Sequence, residues 1–332
     1  MKSRFASCGI PIIMSVLLLL SGKQSTPLAA GPAKADFPVK GKSITMIVPF
    51  PAGGQTGNIG LSLVPSLEKA LGTKVVVEYR PGAGMQVGAT ALALAKPDGY
   101  TFGVVNLPTI VSVYLDAQRQ AVFTRQSFIP IGSQSGMPSA VTVPTASKYK
   151  TLKELVDDAK ARPGVVKAST PATTAHLALL QFSRAAGVDF AVVKFEGGGQ
   201  SINAALGGHV DVVWTGAGDV LPMVKGGQVR VLAVTSEYQY LPGVRTFRDN
   251  GHDVTVGTDQ GYAVPAGTPK EIVDIMRAAF KKAMTDPELL ASMDRIGAMP
   301  KFLSGEEMEE LWRTQDTGMI PLLEAAGVTV KR

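Results

Sequence analysis

The sequence predicts an α/β fold with a mainly parallel sheet, and three observations carry that expectation. Short β-rich runs alternate with helical stretches, many strand-to-helix junctions hold glycine or other small residues, and the rhythm starts again after residue 140. Alternation of this kind lays helices over a sheet whose strands mostly run the same way.

Taken in order, Ser43–Pro49 reads as a buried strand, followed by Pro51-Ala-Gly-Gly54 and a helix from about Thr56 to Leu71. Lys74–Tyr79 is the second strand, followed by Pro81-Gly-Ala-Gly84 and a helix through Ala95; Tyr100–Val105 is the third. After residue 140, strands are expected at Ala140–Val143, Val166–Ala168, Phe190–Phe195, Val210–Trp214 and Arg230–Val234. Between them fall helices at about Thr151–Ala161, Thr174–Ala186, Gly199–Leu206 and Asp219–Lys225. A strand at Gly261–Val264 then precedes helical segments near Lys270–Thr285, Pro287–Ile296 and Ser304–Ala326. No short period repeats, which excludes a solenoid. No low-complexity stretch separates the halves, so two domains joined by crossing strands fit better than beads on a linker.

The N-terminus has the order of a secretory signal: Lys2 and Arg4, an apolar run from about Gly9 to Leu20, then small and polar residues. The run is shorter than the roughly 20 residues a membrane-spanning helix needs. Cleavage is expected near residue 30 or 35, after Leu28-Ala29-Ala30 or Ala33-Lys34-Ala35. Cys8, the one cysteine, precedes the apolar run, so the mature chain has no disulfide, thiolate metal site or cysteine nucleophile. Lys2, Arg4, Lys23 and Lys34 precede Asp36 with no acidic residue among them, so their removal lowers the formal charge from +6 to +2. A nearly neutral chain carries no electrostatic footprint for nucleic acid.

The junctions are the informative chemistry. Helix N-termini present free N–H groups and a positive dipole end, and glycine lets an anion approach the backbone. Such junctions stand at Gly53-Gly54, Gly82-Gly84, Gly197-Gly199 and Gly216-Gly218, with a threonine-rich one at Thr170-Thr174. In open α/β sheets these turns lie at the carboxyl ends of the strands, where ligands bind. Gly82-Ala-Gly84-Met-Gln-Val-Gly88 approaches a dinucleotide fingerprint but places its last glycine one residue late and lacks the acidic partner at the second strand's end. No Walker sequence and no Gly-x-Ser-x-Gly elbow is present. His176, His209 and His252 show no metal-ligand spacing. His176 is expected to pack or cap, Asp211 to close a strand end, and Glu306–Glu310 to form a solvated helix face. No cofactor, metal or catalytic residue follows.

At these same residues the sequence resembles the extracytoplasmic solute receptors of the tripartite tricarboxylate transporter family, also called Bug proteins. The resemblance runs from Phe37-Pro38 onward. It rests on Ile47-Val-Pro-Phe-Pro-Ala-Gly-Gly54, Pro81-Gly-Ala-Gly84, Lys96-Pro-Asp-Gly-Tyr-Thr101, Leu206-Gly-Gly-His-Val-Asp211 and Val264-Pro-Ala-Gly-Thr-Pro269. It implies a type II periplasmic-binding-protein fold: residues 36–139 plus 261–332 as domain one, 140–260 as domain two, and an interdomain cleft crossed by hinge strands. It implies a periplasmic monomer that holds a small di-, hydroxy- or aromatic carboxylate and hands it to membrane permease subunits. Carried over, the carboxylate loop is Phe50, Pro51, Ala52, Gly53, Gly54, Gln55 and Thr56, facing a second turn at Thr170, Thr173 and Thr174. Gly84, Met85, Asn106, Phe195, Thr215 and Asp219 are further expected walls.

The chain departs from the family pattern at three places. Gly57 stands where Asp is common, with Thr56 or Asn58 as substitute helix caps; Glu196 replaces a lysine; Asp259 replaces a tryptophan near the hinge. An acidic side chain in the cleft would favour a ligand with an amino group or several hydroxyls over a tricarboxylate. An alternative reading keeps the same binding module as the input to a membrane sensor kinase; a further one, an exported hydrolase, lacks its nucleophile elbow and metal cluster here.

Overall fold

The computed structural model describes residues 37–171, 173–325 and 327–331. The expected signal segment, its cleavage sites and Cys8 lie outside them.

The chain first lays down β1 (Ile44–Val48), α1 (Gln55–Leu71), β2 (Val75–Tyr79), α2 (Gln86–Ala93), β3 (Thr101–Leu107) and α3 (Thr109–Leu115). β4 (Phe128–Met137) runs out of this unit and, after Pro138, β5 (Ser139–Pro144) opens the next. There follow α4 (Leu152–Ala161), β6 (Lys167–Thr170), α5 (Thr173–Ala186), β7 (Ala191–Lys194), α6 (Gly198–Leu206), β8 (Val212–Gly216), α7 (Ala217–Lys225) and β9 (Val229–Val234). β10 (Thr258–Pro265) returns, and α8 (Lys270–Ala283), α9 (Pro287–Arg295), β11 (Met299–Ser304), α10 (Gly305–Gly318) and α11 (Ile320–Ala325) finish the chain.

Two sheets result. One has the order β11-β4-β10-β3-β1-β2 and the other β7-β6-β8-β5-β9. Each is mixed, which corrects the expectation of a mainly parallel sheet. β1, β2 and β3 are parallel, as are β6, β7 and β8. The antiparallel members are the crossing strands and their neighbours: β4 leaves the first lobe, β10 comes back beside it, and a return journey reverses direction. Thr258 pairs with Met137 where the two strands pass between lobes.

Local sequence accounts for the parallel parts. β1 is almost wholly buried, as a strand covered on both faces must be, and its apolar run needs no alternation. α1 ends at Gly72, whose φ of 69° is the left-handed stop that glycine takes without strain. α4 and α10 open on reciprocal capping boxes, Thr151 with Glu154 and Ser304 with Glu307. The acidic face of α10 is not simply solvated: Glu306 pairs with Arg277, Glu309 with Arg125 and Glu310 with Arg313. Asp211 accepts from the Lys167 backbone N–H at 2.8 Å and closes a strand end as expected.

The second lobe's core centres on Trp214, fully buried and stacked on Phe247 at 5.2 Å with Phe182 at 5.1 Å. Its indole N–H has no partner among the described residues. Trp214→Ala should therefore cost about 3–5 kcal/mol in denaturant unfolding. Trp214→Phe should cost much less, because it keeps ring packing and removes an unmet donor. Equal losses for both would show that the indole N–H is satisfied after all.

Candidate functional site

Three helices point their N-termini at one cavity. α1, α6 and α7 begin after Gly54, Gly197 and Gly216, all extended in backbone conformation and none with a side-chain cap bond. α1's first backbone bond runs from Asn58 N–H to the Gly54 carbonyl, so the amides of residues 55–57 precede the helical ladder. Ser201 N–H to the Gly197 carbonyl marks the same start in α6. Thr56 and Asn58 do not replace a cap. The Thr56 hydroxyl takes a hydrogen bond from Asn106 Nδ2 at 3.0 Å, and Asn58 Nδ2 reaches the Gly53 carbonyl at 3.4 Å. Gly57 is fixed by packing, since a Cβ there would come within 3.1 Å of Tyr79 Cε1.

The cavity has a volume of about 400 Å³, within the range of small-molecule sites. Of the expected residues, Phe50, Pro51, Ala52, Gly53, Gly54, Gln55, Thr56, Asn106, Thr174 and Asp219 line it. So do Thr109, Met137, Ala175, Gln200 and Thr258, which sequence reasoning did not single out, and Pro171 of the threonine-rich turn, Glu196, the Gly197–Gly199 junction and Gly216, which it did. The glycine junctions at 197–199 and 216–218 were a visible signal. Met137 and Thr258 carried none, because they reach the cavity only through the pairing of the crossing strands.

Other expected walls are absent from the lining. Met85 is buried in the first lobe's core beside Ile47 and Leu107, and Gly84 belongs to the turn that puts it there. The last glycine of that run, Gly88, is a packing glycine whose Cβ would meet Pro49 at 2.6 Å. Thr170 is buried and turns its hydroxyl to the Pro171 carbonyl at 2.6 Å. Phe195 continues past β7 with its backbone tied to Thr170 at 2.9 Å, and it is the next residue, Glu196, that lines the cavity. Thr215 acts one step back, donating to Asp219 at 2.7 Å. Thr173 opens α5. Asp259 faces away from this cavity, in a second one of about 430 Å³ behind the crossing strands, where it pairs with Lys301 at 2.5 Å. Met137 and Thr258 form the partition between the two cavities.

The lobes touch on both flanks. The hydroxyls of Thr109 and Thr174 hydrogen bond across them. Gln55 Nε2 reaches the Ile296 carbonyl at 3.3 Å and packs so tightly on Gly218 that a Cβ there would overlap it. Tyr238 of the second lobe donates to the Gly297 carbonyl of the first. Asp219, half-buried at the cavity wall, gathers the Thr215 hydroxyl and the backbone N–H groups of Gly216 and Gln55. Burial raises its carboxyl above the ordinary range, and those three bonds oppose the shift. Gly198 completes the packing: a Cβ there would sit 2.6 Å from Asp219 Oδ2 and 2.9 Å from Thr215 Oγ1.

Among the described residues, no lysine, arginine or histidine lines the cavity. His176, on α5, lies outside the lining; burial first, and Lys194 second, lower its imidazole to about 4, so it is neutral at physiological pH. An anion held here would be met by backbone N–H groups and helix dipoles. No group of three or more His, Cys, Asp or Glu residues among the described residues is placed to hold a metal.

Two sheet-based lobes meeting around a cavity walled by helix N-termini define the class of two-lobed solute-binding proteins. Residues 62–327 match the family described as "Tripartite tricarboxylate transporter family receptor", and the chain belongs to that family. It is 32% identical over 298 residues to the "UPF0065 protein in gbd 5'region" of Cupriavidus necator, covering 84% of this chain and 86% of that one. The structure of the periplasmic binding protein BugD superposes with a TM-score of 0.79 at 28% identity, over 86% of this chain and 98% of that one. MatC of Rhodopseudomonas palustris with bound malate shares the fold, with a TM-score of 0.78 at 24% identity over 86% of this chain and all (100%) of that one. The chain is therefore a solute-binding receptor of the tripartite tricarboxylate transporter and Bug group.

Proposed function

We propose that this receptor captures a small carboxylate between its lobes, outside the cytoplasmic membrane, and presents it to the membrane subunits of a tripartite tricarboxylate transporter. The observation that supports this most is the convergence of helix N-termini whose N-cap residues are glycines on a cavity of about 400 Å³. Such a site suits a compact anion whose charge is met by backbone donors. Residues 36–139 with 261–332 would act as one domain and residues 140–260 as the other, closing as a monomer over the ligand. Residues 1–35 would direct export and be removed; N-terminal sequencing of protein recovered from a periplasm should then start near residue 31 or 36.

The deciding experiment is a thermal-shift and calorimetric panel of mono-, di-, hydroxy- and aromatic carboxylates. A ligand at a hundred times its Kd should stabilise the folded chain by about 2.7 kcal/mol. Scattering should show compaction as the lobes close. A folded protein that responds to no carboxylate would sink the reading.

A further inference from the structure

The cavity's chemistry is lopsided. Backbone donors at the starts of α1 and α6 can seat one carboxylate, yet the side chains that line the rest are neutral or acidic. Two carboxyl groups belong to the lining. Asp219 already has its three donors. Glu196 has none: it stands exposed on the turn into α6, lines the cavity, and forms no hydrogen bond or ion pair among the described residues. Lys194, two residues earlier, lies outside the lining.

Asn106 adds an independent demand. It is 3% exposed, lines the cavity, and spends its amide N–H on Thr56, while its carbonyl oxygen Oδ1 is buried without a partner. A buried acceptor left unmet needs a donor from outside the protein. An ammonium can donate to both groups, a hydroxyl or water only partly replaces it because it brings no charge to Glu196, and a second carboxylate supplies nothing to either.

Resting on the carboxylate-capture reading above, we infer that the ligand is a monocarboxylate bearing an ammonium group, and that Glu196 selects it against dicarboxylates. The carboxylate sits on the helix N-termini. The ammonium carries three donors, enough to serve Glu196 and the Asn106 carbonyl directly or through water. A dicarboxylate brings its second charge towards Glu196 with no side-chain cation in the lining to offset it.

The test uses the mature chain, wild type and Glu196→Gln, titrated calorimetrically with butanoate, 2-aminobutanoate, 4-aminobutanoate and glutarate. These share a carboxylate and differ in what accompanies it. One of the two amino acids should bind at least about tenfold more tightly than both butanoate and glutarate. Glu196→Gln should cut that preference to within about threefold. Because Glu196 is exposed, the variant should melt with the wild type. Glutarate binding as well as the better amino acid, or a preference that survives Glu196→Gln, would overturn the inference and leave the receptor reading standing. Absence of binding by all four, and by the wider carboxylate panel, would instead remove the reading on which it rests.

Discussion

Replacing Gly54 by valine is expected to weaken ligand binding by about 10- to 100-fold while the protein remains folded, the range set by losing one or two charge-assisted backbone hydrogen bonds. Gly54 adopts φ −77° and ψ 163°, a conformation open to any residue, so no backbone strain follows. A Cβ there meets only the Pro51 carbonyl at 3.6 Å, an ordinary contact. Nor is a side-chain cap lost, because Gly54 provides none. What changes is the approach to the amides of α1, which a branched side chain at the cavity wall would cover. Chemical denaturation should place the variant within about 1 kcal/mol of wild type, the scale of an N-cap substitution. Wild-type affinity in a folded Gly54→Val would remove this loop from the site.

That prediction was already legible in the residues around Gly54, and the reason is physical. A strand that is buried on both faces must be a continuous apolar run, and its exit must be glycine or proline if a ligand is to touch backbone. Ile44–Val48 followed by Pro51-Ala-Gly-Gly54 satisfies both conditions locally. β4 satisfies neither. Its run of Pro130, Gly132, Ser133, Gln134, Ser135 and Gly136 resembles a loop, yet Ser133, Gln134 and Ser135 are buried. Two of them are made tolerable by partners far away in sequence: Ser133 donates to the Lys301 carbonyl at 2.8 Å, and Gln134 to the Ile59 carbonyl at 3.0 Å while accepting from Tyr262 at 2.5 Å. No window of a few residues contains that information. The same blindness hid Met137 and Thr258 from the site, since their place is set by strands more than a hundred residues apart. It also made the turn at residues 82–85 look like a ligand loop, when Met85 turns into the core and Gly88 is small because Pro49 lies against it. Departures from a family pattern proved more telling than matches: Glu196 faces the cavity, whereas Asp259 is drawn off to Lys301.

Asp219→Ala should lower stability by about 1–3 kcal/mol near pH 4, the cost of stranding hydrogen-bond donors, with the gap narrowing towards pH 7. The sign follows from linkage. Burial holds the folded carboxyl above its ordinary range, so the folded state binds the proton more tightly than the unfolded chain. The stability this group contributes is complete below the unfolded value of about 3.9 and is lost as pH rises through the folded one. Wild type therefore loses ground to a variant that cannot titrate there, and Asp219→Asn should show the same narrowing with a smaller initial deficit, because it retains an acceptor oxygen. Denaturant unfolding at pH 4, 5, 6 and 7 measures both, and a gap that stays constant across that range would show that the carboxyl is not perturbed. The bond to the Gln55 backbone N–H adds a second readout. It ties α7 of one lobe to the start of α1 in the other, so removing it should loosen the ligand-free chain in small-angle scattering. If Asp219 served only its own helix, through Thr215 and Gly216, the stability loss would remain but the scattering curve would not move. The seat that Asp219 takes on α1 is also the kind of site a ligand carboxylate needs. The protein thus holds its lobes together with the interaction it offers to its solute.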